Sequence, residues 1–464
     1  MTQLPAEPEP PQPVRRVAGA ALGLLRRWQD LARRRARWAG DRRGSVALAF
    51  AASAVVLCGF AALSAEGGML YLVQRRAQST ADAAALAAVT ALNVRGRTVA
   101  FSAGREVAGL NGFAADARTT LAVNSPPATG AQSGNSQAFE VVLTRKTETA
   151  LAGAVLGLRE VTVRARAVAT LQSSAPACLV ALSGALTISN SSSFNSSGCA
   201  IGSNAAIAGA VTLAQSNSSI VTRMVSTVGT CSGCDNTRYT LTEGYRANAA
   251  PITNPYAGLD AKLKPSFSGT AQCQNNKATS ISTSPVPIET SGKAYCGNLS
   301  IGNASSIPFP SGTYVFYNAS LTIGSLSSVS CSGCTFLFLG DNAGSLSISN
   351  TSSVTMTAPA LNKYDSDYNG MLFYRAATAS AAGSSSSPTL NLQSVSSFNL
   401  SGGIYFPNAY VRVGNVSSAS PSSCLPLVGG TLEIGQLSGF RFDVSGCSTF
   451  NTGTGQVVVA RLVE

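Results

Sequence analysis

An uncharged stretch near the N-terminus constrains this chain more than any other feature. Val46–Ala65 contains twenty residues without an Asp, Glu, Lys or Arg side chain, and a helix of that length crosses a hydrocarbon core of about 30 Å. Arg42 and Arg43 close one end of the stretch, and Glu66 closes the other. We predict a transmembrane helix over residues 46–65, because buried core helices seldom show this pattern and cleaved signal peptides have much shorter charged leaders.

Helix-forming residues continue beyond this stretch to Leu92 without a proline, which predicts a helical stem over residues 66–92. Small side chains recur along the stem at helical spacing and would let another helix approach closely. Two uses of this alanine stripe remain open: self-association of stems from two copies, or packing on the next domain of the same chain. The stripe consists of Ala77, Ala81, Ala84, Ala85 and Ala88.

The distribution of charge predicts an orientation in the membrane. Residues 1–45 carry ten arginines against four acidic residues, whereas residues 171–464 carry twelve basic residues against ten acidic ones. Basic flanks of a transmembrane helix stay in the cytoplasm. We therefore predict a cytoplasmic basic tail over residues 1–45 and a periplasmic or extracellular C-terminal part. A nucleic-acid-binding protein would carry its basic excess on the folded domain, so we expect no nucleic-acid partner.

Cysteine and histidine usage narrows the possible chemistry. One of the eleven cysteines, Cys58, lies in the apolar stretch, and the other ten lie on the side expected to be oxidising, where they predict up to five disulfides of open connectivity. The sequence contains no histidine, which excludes Ser-His-Asp and Cys-His catalysis and every His-containing metal site. The disulfide candidates are Cys178, Cys199, Cys231, Cys234, Cys273, Cys296, Cys331, Cys334, Cys424 and Cys447.

Two identical CSGC units, Cys231–Cys234 and Cys331–Cys334, are the strongest local motif among these cysteines. As paired knuckles they could bind zinc, and as separate CxxC motifs they could be redox-active. Zinc binding through thiolates needs a reducing compartment, however, and redox activity usually needs a helix N-terminus beside the cysteine. We therefore predict tight structural disulfides in turns and no cofactor.

A fairly specific motif follows the apolar stretch. Residues 78–88 read QSTADAAALAA, and with the preceding apolar run they resemble the N-terminal segment of the TadG-like family, which belongs to the tight-adherence (Flp) pilus systems of bacteria. The resemblance implies an inner-membrane protein that helps to assemble or anchor the pilus and has other pilus-assembly proteins as partners. The residues that carry the resemblance are Glu66, Tyr71, Gln78, Asp82, Ala85 and Leu86.

Residues 93–171 have the pattern of a small α/β module. Helical periodicity and strand-like alternation predict one helix and three strands there. A short helical turn is expected between the second and third strands. We interpret the charged residues of the module, Glu140 among them, as solvated faces. The predicted elements are a helix over Thr98–Leu110, strands over Thr119–Val123, Phe139–Thr144 and Val161–Thr170, and the turn over Ala150–Leu158.

Residues 172–464 are rich in Ser, Asn and Gly and carry a repeat. From Leu299 onward, copies of a Leu-x-Ile-type pattern recur every 21 to 25 residues, apart from one double interval of 44 in which Met371–Phe373 looks like the missing copy. Such a period indicates a solenoid. We predict a right-handed parallel β-helix of about twelve coils, roughly 50 to 60 Å long, with a β-sandwich as the alternative. The copies begin at Leu186, Leu299, Leu321, Leu346, Leu390, Val411 and Leu432.

One loop has oxygen-bearing side chains at alternate positions. Asp365, Asp367 and Asn369 open like an EF-hand loop and are a weak calcium candidate, although the twelfth position is Ala376 in place of a glutamate. The same two aspartates with Arg375 could belong to a β-helix polysaccharide lyase, the least favoured alternative. A polar loop between coils is the preferred interpretation.

Together these patterns predict a membrane-anchored protein. The transmembrane helix and stem come first, then the α/β module, then the disulfide-containing β-solenoid. We expect a structural component of a pilus-assembly system and not an enzyme. The main alternative is an envelope-anchored, adhesin-like module that binds a glycan or another surface.

Overall fold

The structure is a computed structural model of the full chain. Of the cytoplasmic tail predicted over residues 1–45, only Ser45 is among the described residues. Residues 151–156 of the predicted helical turn also lie outside the described residues. The described residues are 45–150, 157–189, 193–214, 219–260, 272–275, 278–282, 293–303, 306–380, 383–419 and 422–464.

The chain divides into two compact units. One comprises residues 1–76 and 145–163, and the other comprises residues 77–144 and 164–464. In the first unit, the amide of Thr149 donates a hydrogen bond to the carbonyl of Arg159 (3.0 Å). The second unit contains the solenoid and the α/β module apart from residues 145–163.

The first helix, α1, spans Ser45–Arg95 without interruption. Among the described residues, α1 is the one helix that is both long enough and apolar enough to cross a membrane, over Val46–Asn93. Its N-terminal part exposes large apolar side chains such as Phe50 (74 %) and Phe60 (67 %). Apolar side chains on all sides of a helix are unfavourable in water, whereas lipid tails solvate them favourably.

The α/β module agrees closely with the elements that its sequence predicts. In the sheet, β1 pairs with β2 and β2 pairs with β3. The third strand is longer than predicted because it continues from the module into the first coil of the solenoid. The elements are α2 Arg97–Leu110, β1 Thr119–Asn124, β2 Ala138–Glu148 and β3 Glu160–Ala181.

The rest of the chain is almost entirely short strands. The first run of coils contains β4 Leu186–Ser189, β5 Ser193–Ser203, β6 Val211–Ala214, β7 Ser219–Thr227, β8 Cys231–Ser232, β9 Thr240–Leu241 and β10 Tyr245–Arg246, followed by α3 Ala257–Asp260. The second run contains β11 Cys273–Asn275, β12 Thr279–Ile281, β13 Ala294–Tyr295, β14 Leu299–Gly302, β15 Ser306–Phe309, β16 Gly312–Tyr317, β17 Leu321–Ser332, β18 Cys334–Leu339, β19 Leu346–Thr357, β20 Met371–Arg375, β21 Leu390–Ser401, β22 Gly403–Ala419, β23 Leu427–Leu437, β24 Phe440–Arg441 and β25 Gly455–Leu462. Two 3₁₀ turns lie at Ser366–Tyr368 and Cys447–Phe450.

The repeat predicted from sequence is one continuous column of the solenoid. Leu299 pairs with Leu321, Leu321 with Leu346 and Leu390 with Val411, in register and in parallel. This parallel ladder confirms the β-solenoid and excludes the β-sandwich, whose sheets are antiparallel. Buried Leu and Ile side chains alternate with polar ones along each of these strands, as the period-2 geometry of a strand requires.

Two details of the predicted coil arrangement were wrong. Leu346 pairs directly with Leu390, so Met371–Phe373 is no separate copy; it belongs to β20, on another face of the same coil, where Phe373 pairs with Phe336. The solenoid therefore has about nine turns, not twelve, a rise of roughly 43 Å at about 4.8 Å per turn.

The coils do not stack in the order of the sequence. In β23, Leu427 pairs with Leu179 of β3 and Leu432 pairs with Leu186 of β4. The last coil of the chain thus stacks on the first. The N-terminal run of coils extends from this junction through β6 and β8, and the C-terminal run starts at β12 and extends toward it.

A left-handed residue makes the same corner in successive coils. In the copies that begin at Leu299 and after, it lies four positions beyond the first residue, and its φ angle is between 51° and 58°. Asn is among the few non-glycine residues that adopt this conformation at low cost, which explains the Asn that ends several copies. The corner residues are Asn303, Ser325, Asn350, Ser394, Asn415 and Gln436.

One face of the solenoid is buried on both sides. All six residues of β18 are buried: Phe336 and Phe338 face the inner core, whereas Leu337 and Leu339 belong to a second apolar cluster. Ile252, Tyr256 and Leu259 of the segment that follows β10 belong to that second cluster, as does Val457 of β25. Continuous apolar runs such as CTFLFL are typical of strands covered on both faces.

The corner geometry leads to a stability prediction. Replacing the exposed Asn415 by Val should lower the free energy of unfolding by about 1–2 kcal/mol, because a β-branched residue resists positive φ. Asn415→Gly, the matched control, should stay within about 0.5 kcal/mol of wild type. Urea unfolding of the detergent-solubilised chain, followed by circular dichroism, measures both values. Equal stabilities for the two variants would contradict the assigned conformation.

Candidate functional site: the membrane helix and the module that holds it

The apolar part of α1 is built to remain helical without water. Its few hydroxyl groups bond back to the helix: Ser53 donates to the carbonyl of Ala49 (2.9 Å), and Ser64 donates to that of Phe60 (2.8 Å). Such bonds satisfy polar groups inside a bilayer. The free cysteine Cys58 is exposed on this segment.

The alanine stripe lies against its own chain. All five alanines are 1 % exposed or less. Gly104 of α2 lies so close that an added Cβ would be 3.3 Å from the Cβ of Ala88 and 3.4 Å from the carbonyl oxygen of Ala84. The stripe is therefore a packing surface for the α/β module. Self-association of two copies through these alanines, one of the two uses suggested by the sequence, would require a surface that the protein already covers.

Gln78 and Asp82, two polar residues of the motif, lie where α1 contacts the module. The side-chain amide of Gln78 donates to the carboxylate of Asp82 (2.9 Å) and to the backbone carbonyl of Arg166 in β3 (2.9 Å). The spacing of four residues places the two side chains on one face of the helix. Ala85 is buried beside them, Leu86 and Glu66 are partly buried, and Tyr71 is exposed.

Arg166, on the same strand, is the centre of an ion cluster that includes one buried carboxylate. Arg166 Nε is 2.6 Å from the carboxylate of Glu140, which is 3 % exposed at its side chain, and the guanidinium also pairs with the side chain of Glu464. Burial alone would raise the pKa of Glu140, but hydrogen bonds from Asn124, Arg166 and the amide of Ala128 outweigh it and lower that pKa below its usual value. The interpretation of Glu140 as a solvated residue was wrong, because sequence alone does not show that Arg166 lies opposite it.

The ten predicted cysteines are joined in five disulfides. Three of them join partners 21 or 23 residues apart, one coil period, and so tie neighbouring coils together: Cys178–Cys199, Cys273–Cys296 and Cys424–Cys447. The two CSGC units each close on themselves, as Cys231–Cys234 and Cys331–Cys334. In this oxidised state the four sulfurs are not thiolates, the form in which cysteine binds zinc. Among the described residues, no group of three His, Cys, Asp or Glu side chains could hold a metal ion.

The calcium and lyase candidates have structural partners. The carboxylate of Asp365 accepts from the amide of Asp367 (2.9 Å), and the side-chain oxygen of Asn369 accepts from the amide of Asn362 (2.6 Å). These contacts cap a 3₁₀ turn and close a loop.

Arg375, the third member of the lyase candidate, is 1 % exposed. It donates to the carbonyls of Ala343 and Ser380 and to the side chain of Asn408 at 2.9 to 3.2 Å. Burial lowers its pKa. Its donors brace loops and do not line a substrate cleft.

The Gln78 contacts lead to a second prediction. Gln78→Ala should destabilise the module by about 1–2 kcal/mol, because it leaves the carbonyl of Arg166 without its donor. Ser79→Ala, a truncation at the next and exposed position of the same helix, should change the stability by less than about 0.5 kcal/mol. Thermal unfolding in detergent micelles compares the two variants. A Ser79 variant as unstable as the Gln78 variant would show that general helix effects, and not the Gln78 contacts, are responsible.

Comparison with known proteins points to the same segment. Residues 44–91 match the family model described as Tad, putative Flp pilus-assembly TadE/G-like. None of the curated proteins matches the chain, and none of the solved structures does. The matched residues contain the apolar span, the Gln78–Asp82 pair and the alanine stripe. The N-terminal segment is thus similar to the TadE/G-like pilus-assembly family, which confirms the resemblance seen in its sequence.

Proposed function

We propose that this protein is a structural component for the assembly or anchoring of a tight-adherence (Flp-type) pilus at the bacterial cell envelope. The observation that carries the proposal is the match of residues 44–91 to a pilus-assembly family. The match covers the apolar span together with Gln78 and the alanines that pack on the α/β module. Its partners in this role are the inner membrane and other pilus-assembly proteins.

We infer the orientation from charge and from redox chemistry. The arginine-rich residues 1–45 belong in the cytoplasm by the positive-inside rule. The five disulfides belong in an oxidising compartment, because cytosolic thiols are kept reduced. Both arguments favour a single-pass inner-membrane protein whose C-terminal part is periplasmic or extracellular.

The solenoid suits a scaffold more than an enzyme. Its interior is filled by stacked side chains, such as Tyr314 on Phe336 (ring centroids 5.0 Å apart) and Phe316 on Phe338 (5.1 Å). Parallel ladders and disulfides between coils make the solenoid a rigid module that keeps its shape. We therefore propose a non-enzymatic role that needs no cofactor.

Complementation tests this proposal. In cells that lack the chain, assembled pili counted by electron microscopy should be absent or strongly reduced although the pilin is still made, and the wild-type chain should restore them. Pili in normal number without the chain would contradict the proposal.

The structure also offers a variant that removes the solenoid and leaves the module intact. Ala177 of β3 lies opposite Gly455 of β25 in an antiparallel pair, so an Asn-Gly turn can replace residues 178–454 and join the two strands as a hairpin. If the solenoid is needed for assembly, this variant should reach the membrane at normal levels and yet fail to restore pili. Full restoration would assign the solenoid to a separate binding role.

A further inference from the structure

A shallow pocket of about 350 Å³ lies beside the antiparallel pair of β3 and β25. Gln172, Ser173 and Ser174 line it from β3, Arg461 lines it from β25, and Arg246 lines it from β10, the last strand of the N-terminal run. These residues come from three parts of the sequence. The pocket therefore exists only in the folded protein.

A bulge shapes the pocket. The register of β3 against β25 shifts between Val457, which pairs with Ala175, and Val458, which pairs with Ser173. Ser174 is thus the extra residue, left out of the ladder. Bulges are frequent beside binding sites because they redirect the strand locally. Here the carbonyl of Ser174 accepts a hydrogen bond from Arg223 (3.4 Å).

The pocket is positively charged and lacks a compensating carboxylate. Neither an aspartate nor a glutamate is among its lining residues. The carboxylate of Glu243 is engaged by Arg223, at 2.7 Å from Nε. Arg461 donates only to a neutral group in the described structure, the side-chain oxygen of Gln172 (3.3 Å). Two arginines therefore line one cavity whose lining contains no carboxylate.

Arg246 supplies the observation that points to a ligand. Its Nη1 atom is shielded from solvent, and no described residue accepts a hydrogen bond from it. A buried donor without an acceptor costs about 1–3 kcal/mol, and more when it is charged. Arg246 lines the cavity, so an acceptor bound there would recover this cost once the guanidinium turns toward it. The fork of donors on a guanidinium matches the two oxygens of a carboxylate or phosphate.

We propose that this pocket binds an acidic sugar, with Arg246 and Arg461 holding its carboxylate or phosphate group. The hydroxyls of Ser173 and Ser174 and the amide of Gln172 are the kind of groups that bond sugar hydroxyls. This site is independent of the pilus assignment, because nothing in residues 44–91 contributes to it. Acidic sugars occur at cell-envelope surfaces, so this site would give the solenoid a ligand there.

Calorimetric titration of the full-length, detergent-solubilised chain tests the proposal. The probes are trigalacturonic acid, which carries carboxylates, mannose 6-phosphate, which carries a phosphate, and uncharged maltotriose. At least one acidic sugar should bind, more weakly as salt rises, and maltotriose should not. Whichever acidic sugar binds identifies the anion. Absence of binding by both, or equal binding by maltotriose, would overturn the proposal.

Variants separate recognition from folding. Arg246→Gln and Arg461→Gln should each weaken binding by about tenfold or more, the usual loss for a charge-assisted hydrogen bond. Arg105→Gln, which removes an exposed arginine of α2, should change the affinity by less than about twofold. Arg246→Gln should leave the Tm unchanged or raise it, because it removes an unsatisfied buried donor. A lower Tm for Arg246→Gln would show that the residue serves the fold, and would overturn the proposal.

Discussion

The in-register stacking of β23 on β3 and β4 is the interaction on which the rest of this fold depends. Each run of coils leaves one open edge at this junction, and the pairing of Leu427 with Leu179 and of Leu432 with Leu186 satisfies both. Open strand edges otherwise favour association with other chains. The antiparallel pairing of β25 with β3 covers a further edge beside the junction. The chain thus enters and leaves the solenoid at its interior and not at an end.

The two halves of α1 have side chains suited to two different surroundings. Its apolar half presents large side chains such as Phe50 and Phe60 on its surface, which suits lipid. Its second half presents alanines to Gly104 and the module, which suits close backbone packing. Gln78 and Asp82 lie near the start of this second half, where the side-chain amide of Gln78 donates to the backbone carbonyl of Arg166.

Much of this architecture could be predicted from local sequence patterns. The span follows from the length of an uncharged run, and the solenoid follows from the period of Leu-x-Ile copies whose in-register column the structure reproduces from Leu299 to Leu432. The stacking of the last coil on the first could not be predicted, since a repeat gives the register between copies but not which copies are neighbours. The position of Met371–Arg375 was missed for a related reason. An apolar strand that is buried on both sides has no alternation to show its face.

The candidate sites differ in the same way: some are visible in the local sequence, and others form only from residues far apart in the chain. The one-coil spacing of Cys178 and Cys199 is visible in the sequence once the period is known, whereas the Arg246–Arg461 pocket joins residues more than 200 positions apart and has no sequence signature. Arg166 and Glu140 likewise meet only through the pairing of β2 with β3. Sequence patterns report local periodicity well, and they are silent on charges brought together by topology.

Disulfide mapping by mass spectrometry, on chain isolated from native membranes after free thiols are alkylated, tests the central claim most directly. It examines compartment, coil register and membrane attachment together. The account predicts Cys178–Cys199, Cys231–Cys234, Cys273–Cys296, Cys331–Cys334 and Cys424–Cys447, with Cys58 alkylated, in the membrane fraction. Free thiols at the CSGC units, or links between cysteines of distant coils, would contradict the oxidised, stacked solenoid.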